Sequence, residues 1–214
     1  GGNAIDAGGG AASTVKSYGT IEAKGSAYSI TFGGSDNDTV TLHTGSNLES
    51  DKGADLGGGT DELRLEGHGS EDEEFLNVET VNVNADAQGW TLSSASSFET
   101  INVNSGRFDN DGTLTVNTQV TVDSLATFGG DGTTDGDVVN DGTVAPGNSV
   151  GTQTINGSFT QNGVGELVIE FDQNGTDKLE VNGSPGDATL DGTLTFSDAG
   201  GGAPLDTAHT FIVT

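Results

Sequence analysis

Glu79-Thr80-Val81-Asn82-Val83-Asn84 is followed twenty positions later by Glu99-Thr100-Ile101-Asn102-Val103-Asn104. In each copy the apolar side chains sit two residues apart, the period of a β-strand with one buried face. A repeat of about twenty residues is solenoid spacing. A coil of that length holds three short strands and three turns. Each strand then pairs in parallel with its equivalent in the next coil, ~4.8 Å away. Stacked this way, Val81 and Val83 meet Ile101 and Val103 in interior apolar columns, and Asn82 and Asn102 face outward.

The rest of the chain reads the same way. Ser29-Ile30-Thr31-Phe32, Val40-Thr41-Leu42, Leu63-Arg64-Leu65 and Leu114-Thr115-Val116 alternate and are bounded by Gly, Asn, Asp or Ser. A second unit recurs as Asp111-Gly112-Thr113-Leu114, Asp141-Gly142-Thr143-Val144 and Asp191-Gly192-Thr193-Leu194. No segment has helical periodicity. The fold class is therefore all-β, a parallel β-helix of about ten coils with ~20 residues each, forming a rod roughly 50 Å long. A narrow interior column explains why 31% hydrophobic residues suffice, and the 36 glycines serve the corners.

Composition also excludes function classes. With 33 acidic residues against 6 basic ones the net charge is −27, so nucleic acid and anionic membranes are poor partners. Basic partners, divalent cations or saline surroundings fit better. The absence of cysteine rules out disulfides and thiolate metal sites, and suits a chain that crosses the periplasm unfolded. No apolar run approaches the ~20 residues of a membrane helix, and no signal peptide is visible. The opening Gly1-Gly2 without methionine reads as a processed product or excised fragment.

Gly142-Thr143-Val144-Ala145-Pro146-Gly147-Asn148-Ser149-Val150-Gly151-Thr152 resembles the G-T-[VL]-x-P-G-N-S-[IV]-G-T segment of type V autotransporter passenger domains. Ile155-Asn156-Gly157-Ser158-Phe159-Thr160-Gln161, Glu166-Leu167-Val168-Ile169-Glu170, Asp177-Lys178-Leu179-Glu180-Val181-Asn182-Gly183 and Ala188-Thr189-Leu190-Asp191-Gly192-Thr193-Leu194 follow in that family's order. Upstream, Asn37–Leu42, Gly59–Gly67 and Phe98–Val103 are similar to its coils with weaker motifs. The resemblance implies a right-handed parallel β-helix on the surface of a Gram-negative bacterium. It also implies export by a C-terminal outer-membrane β-barrel, and that residues 140–214 seed folding. Residues 1–28 match nothing and are expected to be an extra coil or a cap. Residues 29–141 are β-helix coils, and 142–214 are C-terminal passenger-like coils.

Motifs that could carry chemistry have simpler readings. Gly147-Asn148-Ser149-Val150-Gly151 fits the nucleophile-elbow pattern, but that motif needs a helix after it, and strands are expected on both sides. The histidines are His43, His68 and His209, without a hydrolase pattern around them. Gly33-Gly34-Ser35-Asp36-Asn37-Asp38 approaches a calcium-binding nonapeptide without the tandem copy that shares each ion. Asp36, Asp38, Asp131, Asp135 and Asp137 are the calcium candidates, with solvated turns as the favoured reading. No catalytic residue and no cofactor is assigned. Arg64 and Arg107 are the two arginines, too few for a cleft that grips an anionic sugar. Trp90 is expected inside the column, Glu71-Asp72-Glu73-Glu74 as a solvated loop, and Asn156-Gly157-Ser158 as a turn.

The function expected from this reading is a non-enzymatic surface module. Its long repetitive faces would bind another copy, a host surface or a matrix polymer. Two alternatives stay open: a passive stalk presenting an N-terminal effector or enzyme domain, and a β-helix that binds or degrades glycans.

Overall fold

The computed structural model describes residues 2–173, 175–183, 187–200 and 212–213. Over them the chain is all-β and wound into a parallel β-solenoid of about 8 turns, roughly 21 residues apart. Fewer turns form than the about ten that a uniform repeat predicts, because the end turns are longer. Val15 pairs with Val40 and Phe159 with Ala188, wider steps than Val81 to Ile101.

The first turn holds β1 (Ile5–Ala7), β2 (Thr14–Ser17) and β3 (Thr20–Glu22), and the second β4 (Ile30–Phe32), β5 (Thr39–Leu42) and β6 (Asn47–Glu49). Next come β7 (Ala54–Asp55), β8 (Glu62–Glu71), β9 (Phe75–Leu76), β10 (Thr80–Leu92), β11 (Ala95–Asn110) and β12 (Thr113–Val122). The later turns carry β13 (Ala126–Gly130), β14 (Thr133–Asp135), β15 (Val138–Asn140), β16 (Thr143–Pro146), β17 (Thr152–Ile155) and β18 (Phe159–Gln161). Last are β19 (Glu166–Phe171), β20 (Lys178–Val181), β21 (Ala188–Leu190), β22 (Thr193–Asp198) and β23 (Ile212–Val213). His209, Phe211 and Thr214 lie outside the described residues.

Three faces result. The first stacks β2, β5, β8, β10, β11, β12, β15, β18 and β21 in parallel. Its inner column runs Val40, Leu63, Val81, Ile101, Val120, Val138 and Phe159, all with no exposure. The expected stacking of Val81 on Ile101 and Val83 on Val103 is present in this register. The neighbouring column is apolar from Leu42 to Val122 and then changes to Asn140 and Gln161. These buried amides are satisfied: Asn140 donates to the Glu166 carbonyl at 3.1 Å and accepts from the Gly142 amide at 3.0 Å. They do for buried corner groups what a strand partner would otherwise do.

Long strands serve two faces by bending at glycine. Gly67 and Gly106 have φ of 76° and 70°, and a Cβ there would stand 2.3 Å from Thr44 Oγ1 and the Ala85 carbonyl respectively. Beyond this corner, on the third face, Trp90, Phe108, Phe128, Val144 and Leu167 form another column. The indole of Trp90 lies over Gly69, and a Cβ at Gly69 would meet it at 2.6 Å. Trp90 is thus a core residue, as its alternation predicts.

This third face is interrupted. Among the described residues β3 pairs only with β6, and no strand forms a hydrogen-bonded ladder with the far side of β6, although β8 packs against it. The side chains of Glu71 and Glu73 stand there instead. Glu71 accepts the Leu48 amide with both carboxylate oxygens, each at 3.2 Å, and Glu73 accepts the Ser50 amide at 2.9 Å. Glu71 is therefore no part of a solvated loop. It ends β8 at an inward position beneath Leu92 and is 1% exposed.

Candidate functional site

The outward side of the first face is a set of polar rows at strand spacing. Asn82 donates to Glu62 at 2.6 Å, and Asn102 donates to Asn82 at 3.0 Å. In parallel, Asn84 donates to Glu66 at 3.0 Å and Asn104 to Asn84 at 3.2 Å. Thr80 and Thr100 stand in register beside the first row. Arg64 pairs with Glu62 at 2.8 Å in the turn below. At the paired outward positions of this face the charges are Lys16, Glu62, Arg64 and Glu66, two of each sign. These paired positions cancel in charge, with the exposed Glu99 of β11 at their edge, in a chain of net charge −27.

The acidic residues concentrate at the corners, where backbone amides lack a ladder partner. There they tie one turn to the next. Asp38 accepts the Ser13 amide, Asp61 the Asp38 amide and Glu79 the Asp61 amide, each at 2.6 Å. Charge-assisted bonds of this kind are among the stronger ones. Burial raises the Asp61 carboxyl above its ordinary value, opposed by the Asp38 amide and reinforced by the charges of Glu79 and Asp38.

The five sequence candidates for calcium do the same work in two separate places. Asp36 accepts the Gly10 amide at 3.1 Å, next to Asp38 in the second turn. Asp131 accepts the Thr152 amide at 3.1 Å, Asp135 the Asn156 side chain at 2.6 Å and Asp137 the Ser158 amide at 2.7 Å. Among the described residues no group of three His, Asp or Glu side chains is placed to hold a metal ion.

The 147–151 turn lies between β16 and β17, with no helix after it. The nucleophile-elbow context is therefore missing. Several turns converge on this segment. Asp177 accepts the Gly151 amide at 2.9 Å and the Glu170 amide at 2.7 Å. Asn148 donates to Asp111 at 2.9 Å, and Arg107 donates to the Gly147 carbonyl at 3.3 Å. Arg107 also grips Asp109 with Nε and Nη2 at 2.8 and 2.7 Å. Burial pushes Asp177 up to about 6 against the pull of those two amides. It also raises Asp109, opposed by Arg107. The turn is a structural clasp, and Ser149 on it is exposed.

The histidines stand apart. His43 stacks on Tyr18 with ring centroids 4.1 Å apart, and His68 pairs with Asp86 at 2.8 Å, which holds Asp86 below its ordinary range. Asn156, the sequon asparagine, is occupied by Asp135. The sequence reading missed Asp61, Glu79, Asp111 and Asp177, each of which has a partner in another turn that leaves no local signature. The chain matches no protein-family model, no curated protein and no solved structure.

Proposed function

We propose that the chain is a non-enzymatic surface module of the autotransporter-passenger type, acting in adhesion by lying side by side with a second copy or along a matrix or host surface. The outer face of Asn and Thr rows, whose paired charges cancel, carries this reading. Two rods of net charge −27 repel one another through most orientations, and that repulsion is screened over ~8 Å at physiological salt. The face where opposite charges cancel is where approach costs least. In this reading each contact is weak, and adhesion comes from many copies on one surface.

Location on a Gram-negative outer surface, and export by a β-barrel on the same polypeptide, belong to the same proposal. They rest on the resemblance in residues 142–194.

The test is the molar mass of the purified chain by light scattering, at low and high salt and with calcium or chelator. Reversible oligomers that grow with screening, and that disappear in Asn82→Glu/Asn102→Glu, support the reading. A monomer under every condition removes self-adhesion and leaves the passive stalk.

A further inference from the structure

We propose that Asn182 is a self-modification site, where the side-chain amide is exchanged for a carboxylate through a cyclic imide with Gly183. Four asparagines in the sequence are followed by glycine: Asn156, Asn162, Asn174 and Asn182. Asn174 lies outside the described residues. At such a pair the glycine nitrogen is open to approach, because glycine carries no side chain beside it. The three described pairs share this chemistry and differ in what holds the asparagine.

The reaction needs water alone. The Gly183 nitrogen gives up its proton and forms a bond to Asn182 Cγ. The Cγ–Nδ2 bond breaks, and ammonia leaves with the proton. Water then opens the imide at one of its carbonyls. Opening at Cγ leaves aspartate. Opening at the main-chain carbonyl leaves isoaspartate, whose Cβ lies in the main chain. Either product adds a negative charge to the corner between β20 and β21.

Nδ2 is the leaving group, so a bond that pins it opposes ring closure. Asn156 donates Nδ2 to Asp135 at 2.6 Å, and Asn162 donates Nδ2 to Asp141 at 2.9 Å. Both bonds are charge-assisted and so among the stronger ones. Each must break before Cγ can turn toward the next nitrogen. Asn182 lies one turn above Asn156, just past the end of β20, where Val181 sits on Ile155. The corner column runs Asp135, Asn156, Asn182, so the residue beneath Asn182 is an amide and not a carboxylate. The main-chain amide of Asn182 donates to the Ile155 carbonyl at 2.8 Å. Its exposed side chain has no hydrogen bond among the described residues. The nitrogens of Gly183, Gly157 and Gly163 make none either, so the restraint on the side chain is what separates the sites.

The test follows each asparagine by mass spectrometry of peptides from the folded, unmodified chain, incubated at neutral and at mildly alkaline pH. Cleavage after Lys178 puts Asn182 on a different peptide from Asn156 and Asn162. Asn182 should convert at least about ten-fold faster than either, the factor that one charge-assisted hydrogen bond supplies. Its products should be a mixture of aspartate and isoaspartate, formed faster at the higher pH. In urea the three rates should converge. Comparable rates in the folded chain, or faster loss at Asn156 or Asn162, overturn the proposal. So does a difference that persists in urea, which would assign it to neighbouring sequence. Asp135→Ala should raise the Asn156 rate toward that of Asn182, and an unchanged rate also overturns the proposal. Should Asp135→Ala lose its β-type circular dichroism, the ratio in the unmodified chain decides.

Discussion

Asn102 donates its side-chain amide to the Oδ1 of Asn82, one turn below, at 3.0 Å. On either side of that bond Ile101 lies on Val81 and Val103 on Val83, with no exposure. One six-residue unit therefore builds an apolar column inward and a hydrogen-bonded row outward. The two contribute unequally, because a half-exposed amide exchanges one hydrogen bond for another with water, whereas a buried methyl group leaves water altogether.

Ile101→Ala should accordingly cost about 2–5 kcal/mol through lost burial and a cavity. Asn102→Ala should cost about 0.5–1.5 kcal/mol. Urea unfolding of the two variants checks the ranking. Equal losses would mean that the outer rows hold the turns together as strongly as the core does.

The columns were legible because both copies of the unit carry their own alternation, and Val81 to Val103 can be aligned by eye. The corners were not. Asp61 reads as one more acidic turn residue, yet its partner, the Asp38 amide, lies one turn below. Glu71 was hidden for another reason. It opens a run of four acidic residues, and charge runs are usually solvated. Its side chain turns inward because β8 runs on through it in register with Leu92. The 147–151 turn was legible as a family-like segment, but its convergence with Arg107, Asp111 and Asp177 needs the stacking of several turns.

Gly69→Ala should destabilise the chain by about 1–3 kcal/mol, the usual cost of overpacking. The backbone at Gly69 is not left-handed, so the cost is purely steric: the new methyl would stand 2.6 Å from the Trp90 ring. Thermal unfolding followed by Trp90 emission tests this. A silent substitution would show that the indole has room to move.

Gly151→Ala should cost a similar about 1–3 kcal/mol, because a Cβ there would lie 1.8 Å from Asp131 Oδ1 and break its bond to the Thr152 amide. Ser149→Ala, on the exposed tip of the same turn, should change stability by less than about 0.5 kcal/mol. The comparison by urea unfolding separates a clasp, which depends on its glycine, from a site that depends on its serine.

The pH dependence of stability follows from the raised carboxyls. Asp177 goes from 3.8 to about 6 and Glu71 from 4.5 to about 8, both through burial, and Asp61 and Asp109 shift in the same direction. A raised acid binds its proton more tightly when folded than when unfolded. Its favourable contribution is complete below the unfolded value and is lost as pH rises through the folded one. The solenoid should therefore melt at a higher temperature near pH 5 than near pH 8, the reverse of a protein held by paired surface carboxylates. Asp86, lowered by His68, works in the opposite sense, but it is exposed and screened, and its effect falls below this window. Melting temperatures across the range check the sign. Glu71→Gln should flatten the upper part of the slope and Asp177→Asn the lower part. A melting temperature that rises toward pH 8 would show that the corner bonds favour the charged carboxylates more than burial opposes them.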